Sequence, residues 1–67
     1  MKVLVNGREH VIDGGKGSVA GLVRDLGLEG KRIAVERNGS IVPRSRYDDT
    51  LLQEGDRLEV VGAVGGG

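Results

Sequence analysis

Two Asn-Gly dipeptides, Asn6-Gly7 and Asn38-Gly39, each stand between two short runs of β-forming residues, and they constrain the fold more than any other feature. A two-residue hairpin turn of type I′ needs positive φ at both central positions, which asparagine and glycine tolerate best. Lys2-Val3-Leu4-Val5 leads into the first dipeptide and Arg8-Glu9-His10-Val11-Ile12 returns from it. Arg32-Ile33-Ala34-Val35-Glu36-Arg37 leads into the second. Ser40-Ile41-Val42 returns from that one until Pro43, which ends a strand or confines it to an edge. The register of the first hairpin depends on its loop. With a two-residue turn, Val5 pairs with Arg8 and Val3 with His10, so His10 and Ile12 share the face of Val3. A longer loop sends Val11 inward instead, because a one-residue slip flips every side chain.

Between the hairpins lies a helix. Asp13-Gly14-Gly15-Lys16-Gly17 reads as a loop and Ser18 as an N-cap. Val19, Leu22, Val23 and Leu26 follow at i, i+3, i+4 and i+7, an apolar stripe of helical period. Gly21 within it costs about 1 kcal/mol relative to alanine, so the helix depends on packing, and Gly27 is a natural stop just past its end. After Pro43, residues 45–50 are polar and read as a turn or one short helical turn. Glu54-Gly55-Asp56 is a tight turn, and Arg57-Leu58-Glu59-Val60-Val61 alternates as the last strand. The fold class is therefore α+β, a roll in which a mixed sheet of four to five strands is covered on one face by one helix. Residues 1–62 form the body, and residues 63–67 a flexible glycine-rich tail. If Val3, Val5, Ile33, Val35, Leu58 and Val60 face the helix, a period of two sends Leu4, Ala34 and Val61 to the open face. There they form a candidate partner-docking patch, although single apolar residues on a surface are also ordinary.

Composition removes most enzymatic readings. A chain of 67 residues is one domain that buries only about 60% of its unfolded surface, leaving no room for a deep catalytic pocket. There is no cysteine, hence no disulfide, thiolate zinc site or thiol nucleophile. Ten basic and ten acidic residues cancel, so nothing points to nucleic acid. Tyr47, the only aromatic residue, provides no stacking platform for single strands. No apolar run approaches the length of a membrane span and no signal-peptide h-region is present, so a soluble, cytoplasmic protein without membrane contact is expected.

His10 reads as a structural, half-buried histidine. Asp48-Asp49 and the Glu54/Asp56 pair lie in turns, where acidic residues serve local hydrogen bonds. No metal-ligand spacing is present. Gly14-Gly15-Lys16-Gly17-Ser18 lacks the first glycine of a phosphate loop, and its lysine precedes glycine rather than serine or threonine. Arg44 and Arg46 flank Ser45 and read as part of a solvated loop.

What remains is the end of the sequence, Gly62-Ala63-Val64-Gly65-Gly66-Gly67. Glycine has no side chain to bury and loses the most freedom on ordering, yet an extended segment of this length reaches roughly 20 Å into a narrow channel. Its last group is the α-carboxylate of Gly67, ionised at neutral pH with a reference pKa of about 3.5. A carboxylate is a poor acyl donor until ATP converts it to an acyl-adenylate, whose leaving group a sulfur or amine nucleophile can displace. With no Cβ to shield the carbonyl, glycine suits such chemistry. The other reading of the same glycines is a frayed end or a linker.

Three stretches resemble the ubiquitin-like β-grasp sulfur carriers. They are Met1-Lys2-Val3-Leu4-Val5-Asn6-Gly7, the run from Ile33 through Asn38-Gly39 to Ile41-Val42-Pro43-Arg44, and Leu52-Gln53-Glu54-Gly55-Asp56-Arg57-Leu58-Glu59-Val60-Val61 on through Gly67. The thiamine-pathway branch looks most similar, and the likeness covers essentially the whole chain. The Gly14–Gly17 loop and Gly21 depart from the pattern, while Tyr47 falls where the family often has an aromatic residue.

The resemblance implies a ubiquitin-like β-grasp fold and a protein that is not itself an enzyme and binds no cofactor. An E1-like adenylyltransferase using MgATP would adenylate the Gly67 carboxylate. With sulfur from a donor enzyme it would become a thiocarboxylate, which a thiazole synthase would use. Gly66 and Gly67 map onto the family motif, and Gly65 adds a further position to the tail that threads the partner. A carrier of the same fold for molybdopterin, tRNA thiolation or cysteine synthesis is the alternative. So is a plain β-grasp interaction module.

Overall fold

The computed structural model describes residues 1–13 and 17–62. The expectations placed on Gly14, Gly15 and Lys16, and on the tail at 63–67, lie outside those residues. Among the described residues, five strands, one helix and the 3₁₀ turn at Arg44–Arg46 follow in the order β1 (Lys2–Val5), β2 (Arg8–Val11), α1 (Val19–Asp25), β3 (Ile33–Arg37), β4 (Ser40–Val42), that turn and β5 (Arg57–Gly62). The strands form one sheet ordered β2-β1-β5-β3-β4. β1 runs parallel to β5, and the other neighbours are antiparallel. The last strand therefore occupies the middle of the sheet.

Both Asn-Gly pairs make the tight turn their chemistry favours. Asn6 and Gly7 have φ of 52° and 83°, Asn38 and Gly39 of 51° and 88°, the positive values that a type I′ hairpin requires. The first loop has two residues, so Val5 pairs with Arg8 and Val3 with His10. That register settles which side chains go in: Ile12 is buried, while Val11 is 64% exposed.

Seven residues are too few to hold a helix in isolation, and α1 is fixed at both ends. The Ser18 hydroxyl accepts a hydrogen bond from the Gly21 N–H at 3.1 Å. The N–H groups of Val19 and Ala20, which no helical carbonyl can reach, donate to the carbonyls of Thr50 and Tyr47, each at 2.9 Å. The polar stretch after Pro43 thus completes the helix N-terminus, a role its sequence did not reveal. At the other end Gly27 takes φ of 73°. Its N–H donates to Arg24 and that of Leu28 to Val23, both at 3.0 Å, the paired bonds of a Schellman stop.

Val19, Leu22 and Val23 face the sheet, where they meet Val3, Val5, Val35, Val42, Leu58 and Val60, with Ile12 and Leu52 closing the sides. Leu26 and Ile33 pack at the border, partly buried. The inward set matches the alternation read from the sequence.

Candidate functional site

The glycines expected to carry the chemistry, Gly65, Gly66 and Gly67, lie outside the described residues. What the structure does describe is the platform from which that segment departs. β5 ends at Gly62, whose cross-strand partner is Ile33. On the β3 side five residue pairs run without a break from Arg37↔Leu58 to Ile33↔Gly62. On the β1 side pairing covers only Leu4↔Arg57 and Val5↔Leu58, because the chain leaves β1 at the Asn6-Gly7 turn.

Asn6 makes good the shortfall. Its side-chain amide donates from Nδ2 to the Val60 carbonyl at 2.9 Å, and its Oδ1 accepts from the Val60 N–H at 2.8 Å. The amide thus acts as the next peptide unit of β1. Asn38 does the same at the start of the strand: its Oδ1 accepts from the Arg57 N–H at 2.9 Å, while its backbone N–H donates to the Arg57 carbonyl at 2.8 Å. Sequence reasoning assigned both asparagines to turns and missed this second use. The side chain that forms a type I′ turn emerges beside the neighbouring strand, so the signal was present only once strand order was known.

Asp56 anchors the entry to β5. It is the one buried charged residue among those described, 6% exposed. Arg37 Nε donates to its Oδ2 at 2.7 Å, the Gln53 N–H donates to the same oxygen at 2.8 Å, and Asn38 Nδ2 donates to Oδ1 at 3.1 Å. Burial pushes the carboxyl up, but the Arg37 bond, the Gln53 and Asn38 bonds and the Arg37 charge together outweigh it. The result is a pKa below the usual aspartate value. From the sequence Asp56 was read as a turn residue satisfied locally; its Gln53 contact is of that kind, and its Arg37 and Asn38 contacts are not.

The three residues of the candidate docking patch are not brought together. Ala34 and Val61 are direct cross-strand partners, Val61 54% exposed and Ala34 half-buried. Leu4, half-buried, pairs with Arg57, four residues before Val61 on β5. At about 3.3 Å per residue that is roughly 13 Å along the strand. Ile41, on the same face of β4, is 64% exposed, but its β3 partner is Glu36, so it does not adjoin Val61 directly.

Elsewhere the side chains considered for chemistry are dispersed. His10 is half-buried in the edge strand β2. Asp48 and Asp49 are exposed. Glu54 accepts the Lys2 N–H at 3.1 Å, and Arg44 donates to the Lys31 carbonyl at 2.9 Å. No group of three potential metal ligands occurs among the described residues, and no helix there is long and apolar enough to cross a membrane.

Residues 3–67 match the ThiS family. Over 67 residues the chain is 40% identical to a thiazole synthase of Paramagnetospirillum magneticum and 42% identical to one of Magnetococcus marinus. All of this chain is covered in both, but it spans only 20% of their length. It is 35% identical over 63 residues to the sulfur carrier protein ThiS of Bacillus subtilis, covering 94% of this chain and 96% of that one. A crystal structure of the thiamine biosynthesis protein ThiS from Geobacter metallireducens is similar with a TM-score of 0.86 and 32% identity, over 100% of both chains. With five strands, one helix and this likeness, the fold is the ubiquitin-like β-grasp.

Proposed function

The chain belongs to the ThiS family, and from that membership we propose that it is a sulfur carrier of thiamine biosynthesis rather than an enzyme. The observation that carries the reading is the match to a sulfur carrier over 96% of that protein's length. In the proposed cycle a Gly67 carboxylate oxygen attacks the α-phosphorus of ATP on an E1-like adenylyltransferase of the ThiF type, and pyrophosphate leaves. A persulfide loaded by a donor enzyme then displaces AMP at the acyl carbon to give an acyl disulfide. Attack of a second thiol on the disulfide sulfur farther from the acyl carbon breaks that S–S bond, leaving the terminal sulfur on the chain as a thiocarboxylate and the two thiols joined as a disulfide. Thiazole synthase of the ThiG type takes the sulfur. MgATP is consumed by the activating partner, while Gly65 and Gly66 thread its channel. The scaffold contributes position: β5 is hydrogen-bonded on both flanks up to Val60, so the segment beyond Gly62 departs from a fixed point. Two thiazole synthases hold a stretch similar to this whole chain, which supports thiazole synthase as a partner. Ala34 and Val61, with Leu4 further along, are the proposed docking residues, and the proposed compartment is the cytoplasm.

Intact mass spectrometry tests the reading. After incubation with the activating enzyme, MgATP and a sulfur donor, the chain should gain the mass of one oxygen-to-sulfur exchange. Absence of that gain with every E1-like enzyme of the host would overturn it. Feeding the product to thiazole synthase separates this pathway from molybdopterin, tRNA-thiolation or cysteine-forming carriers, which would yield a different sulfur product.

A further inference from the structure

Asparagine followed by glycine is a reactive pair as well as a turn former. The glycine amide nitrogen can close a ring on the asparagine side-chain carbon, and glycine, lacking a Cβ, does not hinder that approach. At both Asn6-Gly7 and Asn38-Gly39 the nucleophile stands ready. Gly7 and Gly39 are exposed, a Cβ added to either would meet no atom within 4 Å, and neither N–H donates a hydrogen bond among the described residues.

The electrophile is held instead. Asn6 Nδ2 donates to the Val60 carbonyl at 2.9 Å, and its Oδ1 accepts from the Val60 N–H at 2.8 Å. Asn38 Nδ2 donates to Asp56 Oδ1 at 3.1 Å, and its Oδ1 accepts from the Arg57 N–H at 2.9 Å. Both atoms of each carboxamide are thus tied to β5 or to the residue just before it. Val60 and Asp56 are buried, so water replaces those bonds poorly. Until they open, the side chain cannot turn its carbon toward the glycine nitrogen, and Nδ2 cannot leave.

We propose that Asn6-Gly7 and Asn38-Gly39 are latent deamidation sites, and that the side-chain bonds to the last strand hold the reaction back. When a carboxamide swings free, the glycine nitrogen gives its proton to solvent and bonds Cγ. The Cγ–Nδ2 bond breaks, and Nδ2 leaves as ammonia to give a cyclic imide. Water then opens the ring. Breaking the Cγ–N bond yields aspartate, and breaking the bond to the main-chain carbonyl yields isoaspartate. One water is taken up and one ammonia released. Either product at position 6 lacks the Nδ2 donor that the Val60 carbonyl uses. Isoaspartate also adds a carbon to a two-residue turn whose register pairs Val5 with Arg8. The side chains that fix β5 are therefore the ones whose conversion releases it. On the carrier reading above, conversion at position 6 ages the chain out of sulfur transfer.

Peptide mass spectrometry reads both sites at once, because trypsin cuts after Lys2, Arg8, Arg37 and Arg44 and so separates them. In warm, mildly alkaline buffer the folded chain should convert each pair roughly five- to a hundredfold more slowly than the urea-unfolded chain. Asp56→Asn leaves one acceptor oxygen for the three donors now on the carboxylate. It should speed conversion at Asn38 about fivefold or more while Asn6 changes by less than about twofold. The unaltered chain once converted at position 6, separated by its added charge, should melt lower and exchange the Val60 amide faster. Equal rates in folded and unfolded chains would overturn the proposal. So would an Asp56→Asn variant that speeds both sites alike or neither, and so would a converted chain with parental melting and Val60 exchange. These readouts use the free chain, so they stand or fall apart from the carrier reading. Where the unconverted chain gains sulfur, the converted one should gain it more slowly, and a parental rate would overturn the ageing role. No gain by either would overturn the carrier reading instead.

Discussion

Replacing Asn6 by glycine isolates the device that holds β5. Glycine keeps the positive φ that position 6 adopts, and Gly-Gly still suits a type I′ turn, so the hairpin itself is spared. What disappears is the amide that both donates to and accepts from Val60. Val60 is 7% exposed, so water replaces those partners poorly. Two hydrogen bonds at a net of about 0.5–1.5 kcal/mol each give about 1–3 kcal/mol. The added freedom of glycine in the unfolded chain contributes up to about 1 kcal/mol more. A total of about 1–4 kcal/mol is a substantial share of the roughly 3–10 kcal/mol expected for a domain of this length.

At about 4–8 °C per kcal/mol, the melting temperature should fall by at least about 4 °C. Circular dichroism melts give that number, and hydrogen exchange read by NMR locates it: the Val60 amide should lose protection well before the amides of β1. Asn6→Asp sharpens the test. It retains an acceptor for the Val60 N–H but sets a carboxylate against the Val60 carbonyl, so it should destabilise at neutral pH as well. A loss below about 0.5 kcal/mol in Asn6→Gly, with Val60 exchange unchanged, would refute the surrogate-strand role.

Three further outcomes follow from the same geometry. Asp56 has a lowered folded pKa, so its contribution is present in full above the unfolded value of about 3.9 and is lost as pH falls through the folded one. Asp56→Asn should destabilise by about 1–3 kcal/mol at pH 7 and lose less stability than the parent on acidification, read by urea titrations at pH 7 and pH 3. Gly27→Ala places a Cβ at φ of 73° and should cost about 1–2 kcal/mol in thermal unfolding, although no heavy atom stands in its way. Deletion of Gly67 should abolish the thiocarboxylate mass gain and leave the melting temperature within about 2 °C; a large fall would mean that the end of the chain packs against the body.

Much of this was legible in the sequence because it rests on local rules. The Asn-Gly pairs fixed two turns, the stripe from Val19 to Leu26 fixed a helix and its inner face, and alternation in Arg57-Leu58-Glu59-Val60-Val61 fixed the buried side of β5. Much of what was not legible depends on strand order. Composition and period do not say that β5 lies between β1 and β3, and the misread roles of Leu4, Asn6, Asn38 and Asp56 follow from that arrangement. Leu4 was grouped with Val61 because both point away from the helix, yet the parallel register sets Leu4 beside Arg57. Asp56 looked like a turn carboxylate because Arg37, its main partner, is nineteen positions away.

The central place of β5 also bears on why such a scaffold suits a carrier. Edge strands and chain ends open at little cost, whereas a strand paired on both flanks opens only with the sheet. Had the last strand lain at an edge, as β4 does, the departure point at Gly62 would fray and its position would spread over several ångströms. Here fraying at Gly62 must break the β3 ladder at Ile33↔Gly62, and it can pass Val60 only by also breaking the Asn6 clamp. On the carrier function proposed above, a partner that recognised the sheet face would thereby locate the start of the segment beyond Gly62. Coupling between the two is then a consequence of rigidity: Asn6→Gly should weaken sulfur transfer by loosening that departure point even at temperatures where the body remains folded. Single-turnover thiocarboxylate formation well below the variant's melting temperature measures this. A rate equal to that of the parent would show that the partner, and not the sheet, positions the tail.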